Sequence, residues 1–289
     1  MCYTAFSRPG KARPLGRKLY EMSERLPGVQ WTKPVRLTVS SAHDLDCGRK
    51  FSELRVKRSG WGPKREFPPS VGRGSAVHDT LRSLHAGVSK GELPLGDLDT
   101  MAREATWRAR FNAGTDREAE AAKVSSAVRL FLKNQDEEDL SAIVALETQI
   151  EFDYIFKGKP LACVSGTVDR IICRRPDQLV VQDYKTTVQK ISLRECFILL
   201  WCSKVRWPGY KEYLLELIWI DVEDGQVTVD TITTDMVRGQ HRIITALLLR
   251  ALTNEPVAEE GPQCTFCPIR GACLGGLAAV NDDGEMEIF

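Results

Sequence analysis

From Ile143 onward the chain stops repeating with a helical period and alternates instead. IVALETQIEFDYIF, LACVSGTVDRIICRR and LVVQDYKTT are three runs rich in β-branched and aromatic residues, separated only by short turn sequences, KGKP and RPDQ. Alternation with period two is the mark of a strand, and turns this short join strands that lie side by side. ISLRECFILLWCSKV then reads as a helix, and EYLLELIWID and QVTVDTITT resume strand character on either side of the Asp224-Gly225 turn. Strands in one block, with helical patterns before and after, predict an α/β chain.

The flanking segments organise around that block. Residues 1 to about 35 scatter Pro, Gly and positive charge without periodicity and read as a flexible basic arm. In LTVSSAHDLDCGRKFSELR, Ser40 or Ser41 is placed to cap a helix whose inner face includes Leu45, Phe51 and Leu54. SGWGPKREFPPSVGRGS reads as a Gly/Pro loop. AVHDTLRSLHAG then places Val77, Leu81 and Leu84 at helical spacing, with Gly87 as its stop. His78 lies beside that apolar face, and His85 reads as surface. His43 and His241 carry no role. Residues 98–134 form a charged, Ala-rich helical insertion with Glu118, Glu120 and Lys123 on its wet side, suited to a wall or arch over a site. Met236 to Leu252 reads as one amphipathic helix. Residues 36–275 are thus the folded domain, and residues 276–289, with Asp282, Asp283, Glu285 and Glu287, an acidic tail.

A chain of 289 residues with a formal charge of +1 has material for a large core and is not basic enough to bind polyanions over its whole surface. Local asymmetry has to supply any nucleic-acid surface, as the run Arg49, Lys50, Arg55, Lys57, Arg58, Lys64 and Arg65 could. The opening MCYTAFSRPGKARPLG is polar and broken by Pro and Gly, unlike a secretory leader. The apolar stretch near Phe197 to Cys202 is far too short to cross a bilayer. The expectation is an intracellular, cytoplasmic protein (host cytoplasm if viral), in which thiols remain available as ligands.

Two acidic side chains stand near the ends of adjacent predicted strands, Asp169 in GTVDR and Asp183 in DYK. Pairing of those strands would bring them together, and Asp183 and Lys185 share a face because strand side chains alternate. Hard divalent cations take oxygen ligands of this kind, and the peptide carbonyl of Tyr184 can add another. Lys185 is then placed to orient or help deprotonate an attacking water and to offset phosphoryl charge. His78 can complete the shell with an imidazole nitrogen, which suits Mn2+ somewhat better than Mg2+. The plainer alternative makes Asp169 and Arg170 a surface pair and Asp183 the start of a turn.

The chain has nine cysteines. Cys264-x-x-Cys267 sets two thiolates on one side of a turn, with Cys273 following Gly271. Three thiolates need a fourth ligand to complete a tetrahedral zinc or a [4Fe–4S] site, and spacing does not separate the two. Cys47 is the favoured fourth ligand because it lies outside the strands. Cys163, Cys173, Cys196 and Cys202 read as core.

These motifs together resemble the PD-(D/E)XK nuclease superfamily, and within it the RecB-like group with a C-terminal iron–sulfur clasp, to which Cas4-like exonucleases and the AddB nuclease domain belong. GRGSAVHDTL resembles the segment that supplies a metal-binding histidine, here His78. SGTVDRI resembles the segment of metal ligand Asp169, and VVQDYKTT that of Asp183 and catalytic Lys185. SSAHDLDCGRKF and the terminal triplet resemble the clasp, so that Cys47, Cys264, Cys267 and Cys273 hold a [4Fe–4S] cluster. The resemblance implies a mixed central sheet flanked by helices, a restriction-endonuclease-like core. It also implies Mg2+- or Mn2+-dependent exonuclease action on DNA, either single-stranded or at ends, in recombination, repair, phage replication or CRISPR adaptation.

One departure concerns the helix after the lysine strand, where the family carries a Tyr/Gln pair. LRECFILLWCSKV has no glutamine; Phe197 or Trp201 can fill the packing role and Glu195 a polar tip. Tyr154 and Trp107 could stack on bases, against a plainer reading as core or cap. The rival classes are a nuclease-fold module that binds DNA or assembles complexes with little or no turnover, and a zinc-stapled protein-binding scaffold.

Overall fold

A computed structural model describes residues 35–47, 51, 69–88, 97–135, 137–156, 159–186, 192–221 and 224–252. The basic arm before Val35, most of the basic run after Cys47, the triplet Cys264, Cys267 and Cys273, and the acidic tail lie outside them. The strands are β1 (Val35–Thr38), β2 (Ile143–Phe156), β3 (Lys159–Arg175), β4 (Gln178–Lys185), β5 (Glu212–Asp221) and β6 (Gln226–Thr233). The helices are α1 (Pro69–Val88), α2 (Leu98–Arg108), α3 (Arg117–Lys133), α4 (Glu137–Ser141), α5 (Leu193–Arg206), α6 (Thr234–Val237) and α7 (Gln240–Leu252), with a 3-10 helix at Val39–Asp46.

The chain divides into two compact units, one of residues 66–150 and 166–238 and the other of residues 1–65, 151–165 and 239–289. In the first, β3, β4, β5 and β6 are hydrogen-bonded in that order. β3 and β4 run antiparallel with Arg170 opposite Gln182, β4 and β5 run parallel with Asp183 opposite Leu217, and β5 and β6 are antiparallel. The sheet is therefore mixed, and α5 is the crossover that a parallel β4–β5 pair requires. Gly225, at φ +63°, supplies the left-handed turn between β5 and β6.

Every residue of β4 from Gln178 to Tyr184 is buried or nearly so, which needs cover on both faces. Tyr184, Ile218 and Ile220 form one core with Val77, Leu81 and Leu84 of α1, Ala102 and Ala105 of α2, and Val124, Val128 and Phe131 of α3. The alternate positions of β4 are covered by α5, which packs on β4 and β5 and buries Phe197, Ile198 and Leu200. A mixed sheet flanked by helices is the architecture the family resemblance implied.

Several local expectations are corrected. Helix α1 begins at Pro69, so PSVGRGS is helical and not loop; Pro69 is tolerated at a helix start, where its missing N–H has no partner to lose. Residues 98–134 are two helices built into the core. Glu120 is not on a wet face: it is buried, and Arg73 of α1 grips it with Nε–Oε2 2.7 Å and Nη2–Oε1 3.1 Å. Those hydrogen bonds hold its carboxyl below the usual range. His85 is fully buried beside Phe131 and Tyr184. The stretch Met236–Leu252 is two helices, because the chain breaks at Arg238 and Gly239.

In the second unit β1 pairs parallel with β3, Val35 opposite Ala162. Ser41 does not cap an α-helix. Its hydroxyl accepts from Thr38 N at 2.8 Å and donates to Thr38 O at 3.0 Å, a local loop that favours the 3-10 turn. Leu45 and Phe51 are buried, as the expected inner face requires. Cys47 is buried too, and its carbonyl accepts from Phe51 N at 3.0 Å. Cys196 and Cys202 of α5, in the first unit, are core. Cys163 and Cys173 are only half-buried, and their thiols donate to Glu151 and to the Arg175 carbonyl. Tyr154 is core: its hydroxyl donates to the His241 carbonyl at 2.9 Å and shares a hydrogen bond with Thr245.

Candidate active site

The site is assembled at the end of β4, entirely within the first unit. Helix α1 delivers His78 to it because two glycines allow α1 to sit close to its neighbours. A Cβ on Gly74 would lie 2.9 Å from Thr186 Oγ1, and one on Gly72 would lie 2.6 Å from the Arg110 carbonyl and 2.8 Å from the Phe111 ring. An open cavity of about 500 Å3 results, lined by the first turns of α1, by His78, Glu147, Asp169 and Lys185, and by the Tyr184–Thr186 backbone turn.

Asp169 is the hub. Its Oδ2 accepts the Tyr184 amide at 2.7 Å, which ties β3 to the end of β4, and its Oδ1 accepts from His78 Nδ1 at 3.0 Å. The other ring nitrogen, Nε2, lies 2.9 Å from the Tyr184 carbonyl. Both neighbours only accept, so both ring nitrogens carry protons and the ring is an imidazolium. Burial alone would favour the neutral ring. The Asp169 charge and hydrogen bond, with smaller help from Asp183 and Glu147, outweigh burial and raise the pKa to about 9.

Asp183 and Lys185, two residues apart on one strand face, pair at Nζ–Oδ2 2.6 Å. Extending the Arg170–Gln182 register by one residue sets Asp169 opposite Asp183. Burial and the facing Asp169 push the Asp183 carboxyl up to about 6, although Lys185 pulls the other way. Burial works against the Lys185 ammonium, but Asp183 more than compensates and its pKa is raised. Lys185 is therefore a cation and hydrogen-bond donor near neutral pH.

Glu147 of β2 is the member that sequence reasoning missed. One donor atom each from His78, Glu147 and Asp169 lie within 4.8 Å of one another. Burial first, then repulsion from Asp169, lifts the Glu147 carboxyl to about 7. Glu147 has φ +42°, left-handed for a non-glycine residue, so the strict alternation of β2 fails where its side chain is directed. An acidic residue amid β-branched neighbours was the available signal, but Glu151 and Asp153 share it.

The Asp169 charge raises the pKa of both Glu147 and Asp183; these three carboxylates, a peptide carbonyl and an imidazole form a donor set of hard oxygens with one nitrogen. That set fits a divalent cation such as Mg2+ or Mn2+, whose charge would relieve the repulsion the site holds.

A family model for the PD-(D/E)XK nuclease superfamily matches residues 36–274. The chain belongs to this superfamily. Two solved structures are similar to this PD-(D/E)XK protein. One, a candidate exonuclease of Eubacterium rectale, has 10% identity and a TM-score of 0.49 over 80% of this chain and 86% of that one. The other, SSO0001, has 13% identity and a TM-score of 0.38 over 90% and 93%. No curated protein matches significantly in sequence.

Other expected residues of this PD-(D/E)XK protein fall as follows. Arg170 is not half of a surface pair with Asp169. It is buried under the site, with Nε donating to Gln182 Oε1 at 2.5 Å and Nη1 to His85 Nε2 at 3.2 Å. Gln182 in turn donates to Glu216, which Arg174 bridges to Asp139. On α5, Phe197 is buried against the exposed Trp201, ring centroids 5.4 Å apart. Glu195 is half-buried, and its charge acts on Lys185. Trp107 is neither core nor hidden: it is 57% exposed. Among the described residues no helix is long and apolar enough to cross a membrane.

Proposed function

We propose that the protein is a Mg2+- or Mn2+-dependent deoxyribonuclease, acting as an exonuclease on single strands or DNA ends. The observation that carries this reading is the convergence of His78, Glu147 and Asp169 within 4.8 Å, beside the Asp183–Lys185 pair, in a chain of a nuclease superfamily.

Asp169, Asp183, Glu147, the Tyr184 carbonyl and His78 would hold the metal, with His78 surrendering a proton to do so. A bound divalent ion supplies a polarised water and a positive charge facing the phosphoryl oxygens. The chain's own groups do the rest. Lys185, anchored by Asp183 and partly open to the cavity, hydrogen-bonds the attacking water and offsets charge growing on the phosphate. Water oxygen bonds to phosphorus as the bond to the 3′-oxygen breaks in line; the attacking water gives up its proton to surrounding water and the departing 3′-oxygen takes one from it, leaving 5′-phosphate and 3′-hydroxyl ends. Asp169 fixes the arrangement through the Tyr184 amide, so the metal ligands of β3 and β4 keep one spacing.

The reading also assigns Cys47, Cys264, Cys267 and Cys273 to a [4Fe–4S] cluster. The resemblance of the cysteine segments supports it, and Cys47 is buried; the other three lie outside the described residues. Anaerobically purified protein should be brown, with about four irons per chain. Zinc in a colourless preparation would replace the cluster with a zinc staple.

The deciding assay incubates the anaerobically purified protein and its Asp183→Asn and Lys185→Ala variants with end-labelled single- and double-stranded DNA and Mn2+. Mononucleotide release from wild type only, with all three proteins melting alike, is the expected result. Undiminished cleavage by either variant would remove the assignment. Binding without cleavage by wild type would leave a DNA-binding module.

A further inference from the structure

We infer that Trp107 is a base-stacking platform for the single strand whose phosphate enters the acidic cavity. The inference rests on the reading that DNA enters there, and it goes further by naming where a base is held.

Large aromatic side chains normally bury most of their surface, so a 57%-exposed indole at the end of a helix needs a reason. Trp107 is exposed yet held. The Arg117 guanidinium carbon lies over its ring at 5.2 Å and over the Phe111 ring at 5.5 Å. The same guanidinium donates to the carbonyls of Thr106 and Trp107 at 3.0 Å and of Ala109 at 3.3 Å. Thr106 and Trp107 are in the last turn of α2 and Ala109 is its C-cap, so these carbonyls have no partner within the helix and a cation there is favoured. Arg117 thus caps α2 and covers one face of the indole in a single geometry. The outer face is left to solvent, rigid and backed by positive charge, the combination that stacks a base with little loss of freedom.

The platform is tied to the cavity. Phe111 and the Arg110 carbonyl press on Gly72, where no Cβ fits, and Gly72 lies between Val71 and Gly74, which line the cavity. From Gly72 to His78 the helix advances about 9 Å at 1.5 Å per residue. Arg110 is exposed and makes no ion pair among the described residues, and Arg108 pairs at 3.7 Å each with Asp79 on the cavity wall and with Glu104 of its own helix, both at the long end of ion-pair range. Both can take backbone phosphates between platform and cavity, where carboxylates alone would repel them.

Stacking needs bases, whereas phosphate contact does not, and the test separates them. Anisotropy titrations in EDTA would compare wild type, Trp107→Ala and Trp107→Phe on dye-labelled oligothymidine and on an abasic strand of equal length. Trp107→Ala should weaken oligothymidine binding about 10-fold, within the range for one stacked base. Trp107→Phe should restore most of it, and neither should change binding to the abasic strand. Unchanged oligothymidine binding by Trp107→Ala overturns the inference and leaves the surface to a protein partner; equal losses on both strands, or no binding by wild type, overturn it too. Trp107-dependent binding by a wild type that never cleaves would uphold the platform while removing the nuclease reading. Cleavage by wild type with Trp107→Ala binding normally would do the reverse.

Discussion

Replacing Arg170 by methionine isolates the energetics of the buried chain beneath the site. The guanidinium is 1% exposed, and no carboxylate pairs with it directly among the described residues. Burial, and to a lesser degree the neighbouring Arg174, hold its pKa below the usual arginine value. Its charge is met by the Gln182 oxygen, the His85 lone pair and the faces of Phe131 and Tyr184 at 5.4 and 5.9 Å. Methionine keeps much of the volume but strands both Gln182 Oε1 and His85 Nε2, at about 1–3 kcal/mol for each unsatisfied buried acceptor. It also removes two cation–π contacts, each about 1–2 kcal/mol when desolvated. The guanidinium's own desolvation, several kcal/mol, is recovered, so the net loss is about 3 kcal/mol, at the low end for breaking a buried charged network. A loss of that size lowers the melting temperature by about 6–12 °C, at about 2–4 °C per kcal/mol for a domain of this size. Adding Gln182→Leu removes the stranded oxygen while Arg174 still serves Glu216. The double variant should therefore lose at least about 1 kcal/mol less than the sum of the singles. Thermal melts by circular dichroism give all four corners of the cycle. A drop below about 2 °C for Arg170→Met, or strict additivity, would refute the network as argued.

Three other outcomes follow from the same geometry. Burial first, and then Arg170, push the His85 pKa down to about 3, so between that value and 6.5 the unfolded chain binds a proton that the folded one refuses. Stability should fall as pH drops through this window, by about 2 kcal/mol at pH 5 relative to neutral, and His85→Gln should flatten that dependence in urea titrations. An unchanged slope would count against a neutral buried ring. Gly72→Ala sets a Cβ 2.6 Å from a backbone oxygen, which cannot swing away as a side-chain tip could, and should cost about 1–3 kcal/mol by thermal melting. Glu147→Gln should weaken Mn2+ binding by about 10-fold or more in calorimetric titration, because it removes one carboxylate from the trio. It should leave folding intact, since ionising Glu147 is already disfavoured; equal affinity would exclude Glu147 from the shell.

Alternation and turn chemistry are local properties, and they were legible in the chain itself: β2, β3 and β4 with the Pro176-Asp177 turn, α5, and β5 and β6 about Asp224-Gly225 all follow from period and punctuation. The same alternation placed Asp183 and Lys185 on one face, and the approach of Asp169 needed only that β3 and β4 pair. Where local rules mislead, tertiary packing has overruled them. Pro69, Gly72 and Gly74 read as loop, yet they are helix: Pro69 suits a helix start, and close approach to Arg110, Phe111 and Thr186 requires glycine at the other two. Glu120 and His85 read as surface, and so does Arg170 in the plainer alternative, yet each is buried with a partner 47 to 85 residues away in sequence, Arg73 for the first and one another for the other two. Glu147 enters the site through a left-handed backbone angle that no periodicity announces. Side-chain pattern thus determined which elements form and which acidic residues can meet. The three-dimensional arrangement alone decided which polar groups could be buried, because a charge leaves water only where the fold supplies its partner.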